Sequence, residues 1–389
     1  LAALRAPFPA HRERGGGEGP FPMSTTDLPI NLHEYEQAAR ELLSPMVHGY
    51  ITGGSEDEIT LRANREAFAQ WRFLPRMLRG LPAASTATTV LGQEVAMPIL
   101  ISPSGMHRVA HDEGELATAR AAKAAGTIYT MSTAATVLME EVSQQAGPWW
   151  FQLYILTDRG LTRSLVERAK ANGASALVVT VDVPVLGRRE ADERNRFELP
   201  PGLTVANLRS PDHAHMPAGA AGSGLTTFVG AAWDPKITWD DLVWLADISG
   251  LPVIPKGILH PQDAILAFEH GAAAVLVSNH GGRQLDGAIA SLDALPAVVD
   301  AVGDRGEVLV DGGFRRGTDV LKALALGARA ALIARPIYWG LSVAGSAGVQ
   351  HILELLKTEL ALDLLLCGLG SPAEVTRELL VPVGPLVRG

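Results

Sequence analysis

Eight times between residues 97 and 334, a short uninterrupted apolar run gives way to a segment of helical period. The runs are MPILIS (97–102), TIYTMS (127–132), WWFQLYI (149–155), ALVVTVD (176–182), LPVIPK (251–256), AAVLVS (273–278), EVLVDGG (307–313) and AALIA (330–334). Strands that read as continuous Val, Ile and Leu rather than alternating with polar residues are buried on both faces, as in a parallel sheet. The segments between them, such as DEGELATARAAKAAG (112–126) and PQDAILAFEHG (261–271), close on a glycine suited to a helix C-cap. Eight strand–helix units in succession predict an α/β fold, a (β/α)8 TIM barrel, more naturally than an open doubly wound sheet.

Three segments fall outside this rhythm. Residues 1–22 carry GGGEG and scattered prolines, with neither helical period nor strand alternation. They predict a disordered tail or upstream extension, with Met23 as the natural start and 23–389 as one barrel domain. No apolar h-region follows positive charge there, so a secretory signal is not expected. Residues 32–90 read as a helical lead-in, beginning near Leu32. Residues 198–236, rich in Pro, Gly, Ala and His, form an irregular insert after the fourth strand. An insert of that length is usually a binding loop or lid, and on the C-terminal face of a barrel it would cover the site.

Composition removes several classes of function. The chain carries 33 basic and 42 acidic side chains, net −9, which argues against a general nucleic-acid binder. A single cysteine, Cys367, excludes a disulfide framework and a cysteine-rich metal site and suits a reducing, cytoplasmic setting; no metal is expected. No apolar run reaches the roughly 18–20 residues of a membrane span. The insert lacks hydrophobic or basic clustering, so no membrane partner is expected either.

Barrel chemistry sits at the C-terminal ends of the strands. Polar residues gather there: Ser104 after the first strand, Ser132 after the second, and Gln152 and Tyr154 on the third. Thr180 and Asp182 end the fourth, Lys256 the fifth, Ser278 to His280 the sixth, Asp311 to Gly313 the seventh and Arg335 the eighth. Singly, each has a plain structural reading, as a helix cap, a snorkelling lysine or a hydrogen-bonded histidine. Together they point into one mouth, and buried polar groups need partners that a polar ligand would supply. In VDGGFRRGTDV and AALIARPIYWG the last two units each run from strand to basic residue to helix, the second helix read as short. That is the usual barrel phosphate site, with Gly312 and Gly313 admitting an anion to the backbone and Arg315 or Arg335 forking onto it. In SNHGGRQLDG, His280 can approach a substrate closely and Arg283 can bind a carboxylate; Asp182, in TVDVPVLGRREAD, is a candidate partner for His280. Arg188 and Arg189 of that same string are equally readable as solvated charges. A base held by a carboxylate beside arginines suits proton abstraction from a carboxylate-bearing substrate.

These strings, with WWFQLY and PKGI and in barrel order, resemble the FMN-dependent L-2-hydroxy acid oxidizing enzymes, the family of glycolate oxidase, lactate oxidase and mandelate dehydrogenase. The resemblance spans roughly residues 32–385. It implies that FMN is the cofactor, that His280 is the catalytic base and that Asp182 stabilises the imidazolium. It implies that Tyr50, Arg189 and Arg283 bind the substrate carboxylate and that Tyr154 lies near the substrate hydroxyl. Lys256 would sit beside flavin N1 and O2, where a cation stabilises a reduced anionic ring. Ser132, Gln152, Thr180 and Ser278 match ring or ribityl contacts, and Asp311, Gly313, Arg315 and Arg335 ribityl and phosphate contacts. A homotetramer is also implied.

Four departures bear on substrate and acceptor. Gly105, in SPSG beside the expected flavin N5, stands where oxidases of the family often have Ala; a mandelate dehydrogenase and a lactate monooxygenase have Gly. Ala134 replaces the bulky Trp of glycolate oxidase, which predicts room for lactate or a larger side chain. Ala334 replaces the Gly of the usual Gly-Arg-Pro string; its N–H stays available to phosphate, but a special backbone angle would be strained. Pro255 before Lys256 is unusual, and nothing in the sequence explains it. The leading expectation is oxidation of an L-2-hydroxy acid to the 2-oxo acid, with molecular oxygen as acceptor and hydrogen peroxide as product. The alternatives are the same half-reaction in a quinone-linked dehydrogenase or a lactate-monooxygenase-type enzyme and, more distantly, another phosphate-binding TIM-barrel protein.

Overall fold

A computed structural model of the chain describes residues 28–208 and 224–383. The expected tail at 1–22 and the middle of the insert lie outside the described residues. Three helices lead in: α1 (Leu32–Leu42), α2 (Pro45–Thr52) and α3 (Ile59–Glu66). The first starts where Asn31 caps it, its side chain accepting from the Glu34 N–H at 2.9 Å while Glu34 accepts from the Asn31 amide at 2.8 Å.

The rest of the lead-in corrects the expectation of helix up to residue 90. A short strand β1 (Trp71–Phe73) pairs antiparallel with the C-terminal β12 (Leu380–Pro382), and β2 (Thr88–Val90) and β3 (Gln93–Val95) form a hairpin. Its two turn residues, Leu91 and Gly92, both take positive φ (47° and 74°), the backbone a two-residue hairpin requires. β-branched Thr88, Thr89 and Val90 favour the pleated strand over helix.

Eight parallel strands follow: β4 (Ile99–Ser104), β5 (Tyr129–Ser132), β6 (Trp149–Leu153), β7 (Leu177–Thr180), β8 (Val253–Ile258), β9 (Ala274–Val277), β10 (Glu307–Asp311) and β11 (Ala330–Ile333). They close because β11 pairs with β4 as well as with β10. Every expected strand is present, with ends displaced by up to two residues. The closed barrel has an inner core in which Leu100, Trp150, Val178, Ile254, Leu276, Leu309 and Leu332 meet. Val90 and Val95 of the hairpin join that layer, which places the hairpin as a plug under the barrel. Trp150 is the largest side chain there, 1% exposed, and its truncation to Ala would cost roughly 3–5 kcal/mol.

The outer face of each strand is covered by the helices between them. The last α-helical stretch among the described residues spans Arg335–Leu366. Its first part, 335–343, is the short helix expected after the eighth strand; Ala344 and Gly345, the latter at φ 57°, leave helical geometry before the chain resumes helix to Leu366. This stretch packs on Leu32–Leu42 and Glu115–Ala125, tying the lead-in to the barrel wall.

The register also sets the site. Ser132 pairs with Gln152 across β5 and β6, and Thr180 pairs with Lys256 across β7 and β8, so the polar strand ends form one continuous rim.

Candidate active site

His280 lies three residues beyond β9 on a left-handed turn, φ 59°, followed by Gly281 and Gly282 at φ 64° and 74°. The turn swings the imidazole across the barrel mouth, where its Nδ1 lies 3.0 Å from Asp182 Oδ1. An Asp acceptor on Nδ1 fixes the proton there and leaves Nε2 with a free lone pair. Burial pushes the His280 pKa below that of free imidazole; Asp182 pulls it up, and Lys256 and Arg189 add to the push. Burial alone would raise Asp182, but the charges of His280 and Lys256 and the hydrogen bond from His280 hold it below the usual carboxylate range. The result is a neutral imidazole beside an ionised carboxylate, with Asp182 Oδ2 buried and without a partner.

Lys256, 3% exposed inside β8, holds a second cluster. Its ammonium donates to Ser278 Oγ at 2.9 Å and lies 3.3 Å from Asp311 Oδ2, which also accepts from Ser102 Oγ at 3.2 Å. Asp311 Oδ1 is buried with no partner. Beside it, Ser132 Oγ donates to Gln152 Oε1 and Gln152 Nε2 donates to Thr180 Oγ1, both at 3.0 Å. Each polar strand end thus fixes the rotamer of the next.

Four arginines face the same mouth, and among the described residues none has a carboxylate within 4 Å. Arg189 donates from Nε to Arg283 O at 3.3 Å, and burial followed by the charge of Arg283 lowers its pKa to about 10. Arg283 donates from one nitrogen to Tyr50 O and Gly53 O, at 2.7 and 2.9 Å. Arg335 donates to Ile51 O, Gly281 O and Gly53 O, at 3.1, 3.0 and 3.0 Å. Arg315 lies over the Trp339 ring at 4.5 Å and donates to Phe314 O. Burial lowers Arg315 to about 10 and Arg335 to about 9, so both stay charged at neutral pH. Unpaired buried guanidinium groups are costly and mark places where an anion is to be bound.

One cavity of about 1040 Å³, its open mouth included, joins these groups. Tyr50, Ser104, Gly105, Ser132, Tyr154, Arg189, Lys256, His280, Arg283, Asp311, Gly313, Arg315, Ala334 and Arg335 line it. Gln152, Thr180, Ser278 and Asp182 do not; they stand behind the lining and orient it. Arg188 is exposed and paired with Glu190 and Glu193, which resolves the two-arginine string in favour of Arg189. One expectation needs correction and one gains a second reason. Ala334 takes φ −118°, so the glycine-specific strain expected there is absent. Gly313 at φ 85° is demanded by packing as well, because a Cβ would come within 2.1 Å of Asn64 O.

The sequence reading missed Tyr338, Leu186, Leu225 and Trp233, which also line the cavity. Tyr338 Oη donates a short hydrogen bond to Gly105 O and pins the Ser104–Gly105 turn. Leu225 and Trp233 come from the insert: the described residues of the expected lid include a helix, Gly224–Ala232, and its C-terminal neighbour reaches the site.

These residues fit FMN. The Arg315 and Arg335 side suits a phosphate, the orphan Asp311 Oδ1 suits a ribityl hydroxyl, and Lys256 suits a ring that gains negative charge.

The comparisons agree with this geometry. A family model described as FMN-dependent dehydrogenase matches residues 39–382. An L-lactate oxidase from Nostoc sp. is 51% identical over 92% of this chain and 100% of its own length. 2-Hydroxyacid oxidase 1 of Homo sapiens is 46% identical over 92% and 97%. A crystal structure of mandelate oxidase with (S)-4-hydroxymandelic acid superposes with a TM-score of 0.87 at 42% identity, covering 91% of this chain and 98% of that one. With a barrel, a base and a cofactor cradle of this kind, the chain belongs to the FMN-dependent dehydrogenase family, alongside the 2-hydroxy acid oxidases.

Proposed function

We propose that the chain oxidises L-2-hydroxy acids with lactate-sized or larger side chains to 2-oxo acids, passing the electrons to molecular oxygen and yielding hydrogen peroxide. The observation that carries this reading is one cavity holding a carboxylate-bound neutral histidine, two arginines with no described carboxylate within 4 Å, and a buried lysine. FMN, when bound, supplies the two-electron acceptor. Arg189 and Arg283 bind the substrate carboxylate, and Tyr50, over whose ring Arg283 lies at 5.2 Å, closes that end. Tyr154, buried beside Asp182 and Arg189, keeps its phenol protonated and donates to the substrate oxygen. His280 Nε2 takes one proton from the substrate, and Asp182 stabilises the imidazolium through Nδ1. Lys256, steadied by Ser278 and Asp311, offsets charge gained by the ring. Ser132, Gln152 and Thr180 orient ring contacts, Ser104 and Gly105 border the reacting face, and Gly313, Ala334, Arg315 and Arg335 hold the phosphate end.

The test is a visible spectrum of the purified protein, taken anaerobically before and after L-lactate. The flavin band should bleach in the wild type and stay put in His280→Ala, with FMN bound in both; bleaching in His280→Ala removes the base from that residue. The lack of a flavin band after reconstitution with FMN would sink the whole reading.

One observation favours a second outcome of the same half-reaction. At Gly105 an added Cβ would press on the Ala134 Cβ at 2.9 Å, so the backbone as folded keeps Gly where oxidases of the family often have Ala. Less than one peroxide formed per hydroxy acid consumed would identify a quinone-linked or monooxygenase-type enzyme. A cytoplasmic homotetramer completes the reading. The unpaired, buried Cys367 supports the location, and exposed Leu74, Met77 and Leu78 supply apolar surface for a second copy; sedimentation checks it. Among the described residues no helix is long and apolar enough to cross a membrane.

A further inference from the structure

We infer that Trp233 is a specificity-determining residue, whose indole forms the wall against which the substrate's C2 side chain is sorted, favouring planar or extended apolar groups. The inference rests on the oxidation reading above and goes beyond it by assigning a residue and a side-chain class.

The insert touches the site through two aromatic pairs, at or beside its two ends. Just before it, Phe197 stacks on Tyr50, with ring centroids 4.2 Å apart and planes within 12°. At its end, Trp233 stacks on Tyr154 at 3.6 Å and 14°. The two pairs differ in one respect. Phe197 is fully buried and does not reach the cavity, whereas Trp233 lines it. Phe197 therefore backs a residue at the carboxylate end, which all substrates share. Trp233 both backs Tyr154 and presents ring surface to whatever occupies the rest of the cavity.

Trp233 is held in place by its backbone. The Trp233 N–H donates to Val229 O at 3.1 Å, the Asp234 N–H to Ile155 O at 2.9 Å and the Thr157 N–H to Ala232 O at 3.0 Å. Arg159 pairs with Asp234 at 2.8 Å on the same strap. These bonds fasten the end of the insert to the segment just after Tyr154. The indole Nε1 is buried without a hydrogen-bond partner among protein atoms. A buried tryptophan usually finds an acceptor for that N–H. Without one, the ring's worth at this position lies in its flat face, not in an anchoring hydrogen bond. With the carboxylate held by Arg189 and Arg283, and the hydroxyl by Tyr154 and His280, the C2 side chain meets Trp233, Leu225 and Ala134. Ala134 leaves volume, Leu225 an apolar flank and Trp233 a planar one.

The experiment measures kcat/KM of the holoenzyme for L-lactate and (S)-mandelate in the wild type, Trp233→Phe, Trp233→Leu and Phe197→Leu, with FMN content and peroxide yield recorded. The expected result is a fall of roughly tenfold or more in the mandelate-to-lactate ratio for Trp233→Leu, because apolar contact of that size is worth about that much discrimination. Trp233→Phe, which keeps a flat but smaller ring and loses the orphan N–H, should hold the ratio within about threefold. Phe197→Leu should lower both substrates together and leave the ratio unchanged. Equal losses for both acids in Trp233→Leu would overturn the inference by reducing Trp233 to a prop for Tyr154. If Trp233→Leu fails to retain FMN, Trp233→Met replaces it and the same ratio decides. A wild-type flavin bleached by neither acid overturns the oxidation reading itself, and this inference with it.

Discussion

Two pairs of arginines, Arg189 buried and the other three half-buried, face the cavity, and they are built alike. Arg189 and Arg283 stand on the side of β7 and β9, Arg315 and Arg335 on that of β10 and β11. In each pair one member is spent on architecture. Arg283 and Arg335 both donate to Gly53 O, at 2.9 and 3.0 Å, and so stitch the end of α2, which carries Tyr50, to the barrel mouth. In each pair the other member is freer. Arg189 makes long bonds to Arg283 O and Gln284 Oε1, at 3.3 and 3.5 Å, and Arg315 stacks on Trp339. A charge held mainly by burial and a ring face keeps its fork for a ligand. What differs is the neighbour: Arg189 lies within electrostatic reach of His280, whereas Arg315 answers to Glu36, Arg65 and Asp319. On the proposed reading, one free arginine therefore belongs to the reacting end and the other to the anchoring end.

The sharpest way to break that comparison is to remove one free arginine at a time. Arg189→Met should lower kcat/KM for L-lactate by roughly 10²- to 10³-fold, since losing one partner of a desolvated charge pair costs about 2–5 kcal/mol. FMN content should stay at wild-type level in that variant. Loss of FMN together with activity would show that the two ends are not separable.

Arg315→Met should do the reverse with a smaller effect. Its fork is one of several contacts to the phosphate, shared with Arg335 and backbone N–H groups, so the FMN dissociation constant should rise about 10- to 100-fold. With FMN in excess, KM for L-lactate should match the wild type. Lys256→Met sits between the two ends and should weaken both FMN retention and the anaerobic bleaching rate, by about tenfold each. If both are intact, Lys256 is structural.

How much of this was legible in the sequence follows from what sets each feature. The eight strands were, because burial on both faces writes itself as unbroken Val, Ile and Leu. The hairpin Thr88–Val90 and Gln93–Val95 was not, because three-residue strands are too short to show a period; only the Leu91–Gly92 pair hinted at a turn. The second helix after the kink at Ala344 and Gly345 was not read, because that break interrupts the pattern that the chain then resumes. At the site, polar strand ends such as Lys256 and Asp311 were visible, since polarity after a buried strand is itself the anomaly. Trp233 and Leu225 were not, because their approach depends on how the insert folds back over β6 and β7. The one signal was a tryptophan in AAWDPK, just before the chain returns to helical period. Ala334 misled because glycine in a motif was taken to mean positive φ, and the chain adopts −118° instead.

The smallest expected effect is on pH dependence, and it tests the comparison most directly. His280 works as a base only when neutral, so kcat/KM falls as pH drops through its pKa in the folded enzyme. Burial, Lys256 and Arg189 hold that pKa below the free value of about 6.5, so the acid limb should lie below it. Arg189→Met removes one of the charges that disfavour the imidazolium, so in that variant the limb should move to higher pH. Asp182→Asn removes the group that favours it, so there the limb should move to lower pH while kcat falls. Arg315→Met removes a charge that is not among those acting on His280, and its limb should coincide with that of the wild type. The profiles are measured as initial rates of 2-oxo acid formation at low substrate with saturating FMN, in buffers of equal ionic strength. A limb that moves equally in Arg189→Met and Arg315→Met would mean that the two ends share one electrostatic field, and the division between reacting and anchoring arginines would fall.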